Sequence, residues 1–147
     1  MAEVVGLVAT VAGLATTALS VSKTLLDLIQ TYENSPQAIQ DLQKEVSVLG
    51  ELLEKIHKNV ENSSSRSQFC RTVKEGTYTV AFKRCDRDLN RLQTIVVKLH
   101  LSGSHNRWSR LRDTLMWFYL EKDIASVKMA LEMHKSLLTI LLSLSIS

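Results

Sequence analysis

VVGLVATVAGLATTALSVS, residues Val4 to Ser22, is the stretch on which the reading of the fold turns. Its nineteen residues contain no Asp, Glu, Lys or Arg; Glu3 stands before it and Lys23 after it. As a helix it would be about 28 Å long, close to the roughly 30 Å hydrocarbon thickness of a bilayer. The same residues carry a seven-residue apolar repeat. Val4, Val11, Ala18, Leu25 and Tyr32 fall on one line, and Leu7, Leu14, Val21 and Leu28 on the next. Such a repeat lets the helix pack inside a soluble bundle. One helix thus has two possible homes, protein core or lipid.

Three ordinary readings compete for it. A secretory signal needs a basic start and a cleavage site, whereas this chain opens Met1-Ala2-Glu3 and keeps its repeat past Lys23. A permanent anchor needs Leu, Ile and Phe in bulk, whereas Thr10, Thr16, Thr17, Ser20 and two glycines dilute the segment. A buried helix of a soluble bundle remains, and it describes the resting state.

Working outward, the first helix is expected over Ala2 to Tyr32, with Glu3 at the positive end of its dipole. Asn34-Ser35-Pro36 stops it, with Ser35 able to cap a second helix that starts at Pro36. That helix, to Val60, places Ile39, Leu42, Val46, Leu49, Leu53, Ile56 and Val60 at alternating spacings of three and four. One buried stripe follows. Asn62 to Ser67 is a polar loop, and Gln68 to Thr79 a loop or short helical turn. A third helix is expected from Thr79 to Leu101, with Ala81, Cys85, Leu89, Leu92, Val96 and Leu99 inward. Lys83, Arg84, Arg87 and Arg91 lie on its outer side, near Asp86 and Asp88.

A fourth helix should begin near Arg107 and carry Trp108, Leu111, Leu115 and Phe118, with Trp117 and Tyr119 as core filling or interfacial anchors. Glu121-Lys122-Asp123 is expected to break or bend the chain before a fifth helix. There Ile124, Val127, Leu131, Leu138 and Leu141 form one apolar row, and Ala130, Met133, Leu137, Ile140 and Leu144 a second. So wide a face suits a central, buried helix. The 147 residues read as one all-α domain, a four- to five-helix bundle spanning 1–147.

Charge is uneven. Residues 1–65 hold four Lys/Arg against eight Asp/Glu, residues 66–112 eleven against three, and residues 113–147 three against four, for a net charge of +3. The basic middle suggests an anionic partner, with lipid headgroups ahead of nucleic acid because no base-reading motif accompanies it. Trp108 beside Arg107 and Arg110 could stack on bases but equally fits a core position. Cys70 and Cys85 have no metal spacing and read as reduced thiols.

Nothing in the sequence points to an enzyme. Glu54-x-x-His57 has a di-iron spacing but no second copy, and His57 lies beside the apolar stripe as a surface histidine. His134 falls in the apolar row of the fifth helix, where a hydrogen-bonded core histidine is the usual outcome. No phosphate-binding glycine loop, nucleophile elbow or zinc spacing occurs. No catalytic residue, metal or cofactor is expected.

MAEVVGLVATVAGLATTALSVSKTLLDLIQTYENSPQAIQDLQKEVSVLGELLEKI resembles the opening of the fungal N-terminal domain of STAND proteins, the HeLo-like domains placed ahead of nucleotide-binding modules. Met1 to Ala9 followed by Ser22-Lys23-Thr24-Leu25 carries the likeness, as does the register Ile39, Leu42, Glu45-Val46, Leu49. Glu121 to Ile124 and Leu131 to Leu138 resemble the family's closing helix. The middle of the chain fits only loosely. The chain departs from the pattern by stopping at Ser147 with no nucleotide-binding module.

The resemblance implies a bundle related to HeLo domains and to that of the necroptosis pseudokinase. Such domains execute cell death in fungal innate immunity and heterokaryon incompatibility. They rest in the cytoplasm, are brought together by a receptor or amyloid signal, and release the first helix to permeabilise the plasma membrane. The expected insertion helix then comprises Glu3, Val4, Leu7, Val8, Val11, Gly13, Leu14, Ala18 and Val21, buried at rest against helices two and five. Thr10, Thr17 and Thr24 on one line and Gly6, Gly13 and Ser20 on another suit close helix approach in lipid. Lys83, Arg84, Arg87, Arg91, Arg107, Arg110 and Arg112 would attract anionic lipid at about 1 kcal/mol each. The competing reading is a self-association or adaptor module that binds a protein partner without entering lipid; nucleic acid is not expected as a partner.

Overall fold

The computed structural model describes residues 2–31, 36–61, 77–101 and 115–146. They form four α-helices, α1 (Ala2–Thr31), α2 (Gln37–Glu61), α3 (Thr77–Leu101) and α4 (Leu115–Ile146), and no strand occurs among them. Thr77 to Val80 is the first turn of α3, which starts two residues earlier than expected. α2 starts one residue later than expected. Pro36 stands just outside it, and its carbonyl accepts from the Ile39 and Gln40 amides at 3.0 and 3.2 Å, the geometry of a capping residue. Ser35 and the loop from Asn62 to Gly76 lie outside the described residues.

Glu121-Lys122-Asp123 does not interrupt the last helix. α4 runs unbroken through it for 32 residues, because no proline or glycine lies between Leu115 and Ile146 to remove a hydrogen bond or admit a turn. The expected fourth and fifth helices are therefore one from Leu115 onward. The start proposed at Arg107, with Trp108 and Leu111, lies outside the described residues.

Each helix contributes one apolar stripe to a common core. Val11, Leu14, Ala18, Val21, Leu25 and Leu28 come from α1, and Ile39, Leu42, Val46, Leu49, Leu53 and Ile56 from α2. α3 adds Phe82, Cys85, Leu89, Leu92, Ile95, Val96 and Leu99, and α4 adds Leu120, Ile124, Val127, Leu131 and Leu138. Complete burial of each Leu or Ile removes enough apolar area to favour folding by about 1.5–3 kcal/mol. The second apolar row expected to be buried on the last helix instead faces outward. Met133, Leu137 and Ile140 are exposed, as is Met129. Tyr119 is exposed too, while its neighbour Leu120 enters the core.

The contacts fix the topology. Gln43 of α2 donates to Ser22 of α1, and Gly50 meets Leu19, so α1 and α2 are antiparallel. Asp41 and Glu45 of α2 meet Lys128 and Lys135 of α4, which makes that pair parallel. Asp88 and Arg91 of α3 meet His134 and Ser126 of α4, an antiparallel pair. α1 packs on α2 and α3, and α4 packs on the same two from the other side. α1 and α4 therefore occupy opposite corners, and α1 is not held by the C-terminal helix as its repeat suggested. Lys128, His134 and Lys135 of α4 find partners on α2 and α3, whereas the described inward face of α1 carries no charged group.

Candidate membrane helix and basic face

α1 is two-sided. Inward it presents the apolar stripe, with Ala15 and Ser22 completing the buried surface. Outward it presents Ala9, Thr10, Gly13, Thr16, Leu19, Ser20 and, near its end, Lys23, Leu26 and Asp27. Val8 to Gln30 is long and apolar enough to cross a membrane, and only 39% of its most apolar window is buried. Length and composition alone mark it so, and the core helix of a bundle meets the same measure.

Two outer hydroxyls of α1 are satisfied within the helix. Thr16 Oγ1 donates to the Ala12 carbonyl and Thr24 Oγ1 to the Ser20 carbonyl, each at 3.0 Å. Groups bonded in this way bring no unmet donor into an apolar solvent. The seam with α2 is close. A methyl group at Gly50 would stand 2.8 Å from Leu19 Cδ2 and 3.4 Å from Ala18 Cβ. Gly13 faces open space, with nothing within 4 Å of where a side chain would begin.

Of the residues assigned to insertion, Val11, Leu14, Ala18 and Val21 are buried, Val8 is half-buried and Gly13 is exposed. The side chains of Glu3, Val4 and Leu7 lie outside the described set. Lys83, Arg84, Arg87 and Arg91 are all exposed on α3. Arg87 and Arg91 are partly engaged, standing 3.8 and 3.5 Å from Asp88 Oδ1. Arg107, Arg110 and Arg112 lie outside the described residues.

Asp88 is not the surface neighbour that the sequence suggested. It is buried, and its Oδ2 lies 2.6 Å from Nε2 of the equally buried His134. Arg91 completes the group, with Nη2 on Ser126 Oγ at 3.3 Å. The signal was present in the lanes. Cys85, Asp88, Leu92, Ile95 and Leu99 follow spacings of three and four, as do Ile124, Val127, Leu131, His134 and Leu138. A charge in one buried lane requires a partner in the other. Burial, and secondarily the carboxylates of Asp88 and Asp86, pushes the Cys85 thiol up to about 12. It is protonated and inert at neutral pH. His57 is half-buried beside the α2 stripe rather than on the open surface.

The family described as pigment biosynthesis cluster protein PigL N-terminal matches residues 2–146, nearly the whole chain, and the protein belongs to that family of fungal-type domains. No curated protein and no solved structure matches the chain.

Proposed function

We propose that this PigL N-terminal domain is a membrane-targeting execution module of the HeLo-like kind, in which α1 leaves the bundle and enters lipid when copies associate. The observation that carries the reading is the character of α1 itself. It is a helix of spanning length, seated by apolar contacts on one side and open on the other at Ala9, Thr10, Gly13, Thr16 and Ser20. Lipid tails are as apolar as the leucines it packs against, so transfer exchanges like for like. Association raises the local concentration of bilayer-competent helices and shifts the equilibrium toward the inserted state. Lys83, Arg84, Arg87 and Arg91 draw the bundle to anionic leaflets beforehand. The domain acts by binding and insertion rather than by catalysis. It rests in the cytoplasm, works at the plasma membrane, and takes its trigger from a nucleotide-binding receptor module.

Dye release from vesicles of phosphatidylcholine with phosphatidylserine, against phosphatidylcholine alone, tests the reading. The native chain should empty the anionic vesicles. Gly13→Glu is the informative variant, because its side chain enters open space in the bundle yet places a charge in the inserting segment. Leu14→Glu is unsuitable, since Leu14 is buried and the variant would lose the fold itself. Unchanged release by Gly13→Glu, or none by the native chain, rejects the proposal.

The second reading, a module that binds protein without entering lipid, has its own support. Met129, Met133, Leu137 and Ile140 form an exposed apolar lane along α4. It predicts self-association that Met133→Glu abolishes and that proceeds without vesicles.

A further inference from the structure

Among the described residues two polar contacts join α4 to α3, and they differ in kind from those seen across the seams of α1. The Asp88–His134 pair is 2.6 Å long, and each side chain is no more than 3% exposed. Arg91 spans the seam beside it, reaching Asp88 Oδ1 and Ser126 Oγ. On the other flank Lys135 Nζ meets Glu45 Oε2 at 3.2 Å. Across the seam of α1 with α2 the described bond is neutral, Gln43 Nε2 to Ser22 Oγ at 3.1 Å. A buried pair resists the first stage of separation. Before water reaches the gap, a small displacement leaves a buried polar group dry and unmatched. An apolar seam has no such early penalty.

We infer that the Asp88–His134 pair is a latch that makes the bundle open at α1 while α2, α3 and α4 stay joined. The charged groups at the pair are Arg87 and Arg91 on α3, 3.8 and 3.5 Å from Asp88 Oδ1, with the buried Cys85 one turn before Asp88. The latch has a consequence in lipid as well. α4 is nearly as apolar as α1, but moving it would carry Lys128, His134 and Lys135 away from their partners. The inference rests on the reading of α1 as the mobile helix. It is tested in solution without vesicles, so its failure and the failure of membrane insertion are separate results.

The test is native-state hydrogen exchange on the full chain, resolved by helix. The amides of Val11 to Leu25 should exchange about tenfold or more faster than those of Asp88 to Leu92 and Leu131 to Leu138. Asp88→Asn should erase that gap by accelerating α3 and α4, leaving α1 nearly unchanged. If Asp88→Asn fails to fold, the neutral pair Asp88→Asn with His134→Gln restores donor and acceptor and should leave a smaller gap than the native pair. One common rate for all four helices in the native chain overturns the latch. So does a variant that speeds α1 and α4 equally, which is what a merely structural pair would do.

Discussion

α1 and α4 are the two most apolar helices of the bundle, and they are fastened to it by opposite means. α1 lies on α2 and α3 through Val, Leu and Ala, with Gly50 admitting Leu19 and Ala18 to close range. α4 lies on the same two helices through a comparable apolar lane, but hydrogen-bonded polar side chains cross both of its seams. Hydrophobicity alone therefore does not say which helix can leave. What matters is whether the new solvent offers the contacts that the old one did. Lipid replaces the neighbours of Leu25 without loss, but it offers nothing to His134 in place of Asp88.

The comparison breaks most readily at the polar seam. Asp88→Ala leaves His134 buried without its carboxylate, and urea unfolding should show a loss of about 4 kcal/mol. Leu25→Ala, a cavity in the apolar seam, should cost about 3 kcal/mol by the same measurement. The two variants should differ more in where the chain loosens than in the total.

Cys85 reports that difference. With its pKa near 12 it labels slowly at neutral pH unless the bundle opens, and the rate should climb with pH as thiolate forms. In a Cys70→Ser background, thiol labelling should be faster in His134→Ala than in Leu25→Ala. Equal rates would mean that the two seams open together.

Lys135→Ala removes a partly exposed pair and should cost about 1 kcal/mol or less. The smallest effect is expected of Gly13→Glu. At an exposed helical position with free space around it, stability should stay within about 1 kcal/mol of native. A residue that is silent in folding and decisive in lipid is the sharpest form of the contrast.

Much of this was legible in the chain. The repeat through Val11, Leu14, Ala18, Val21, Leu25 and Leu28 marked the buried face of α1, and the spacing from Ile39 to Ile56 did so for α2. A core histidine at His134 followed from its lane. What was not legible depends on partners. Periodicity says that a row is apolar, not that a neighbour covers it, so Met133, Leu137 and Ile140 read as core and are exposed. Asp88 read as surface because it sits among arginines, and only the lane of α4 explains its burial. The charged triplet at Glu121 suggests a break, but charge alone removes no backbone hydrogen bond. Without proline or glycine the helix continues.

The most direct test follows α1 itself. An environment-sensitive fluorophore on Gly13→Cys, in a Cys70→Ser chain, reads water in the free bundle because that face is open. On adding vesicles of phosphatidylcholine with phosphatidylserine, its emission should shift blue, and quenchers placed in the acyl chains should extinguish it. A probe on Ser126→Cys of α4 should stay wet. If the Gly13 probe remains in water while the protein is bound to the vesicles, α1 has not entered the bilayer and the account is wrong.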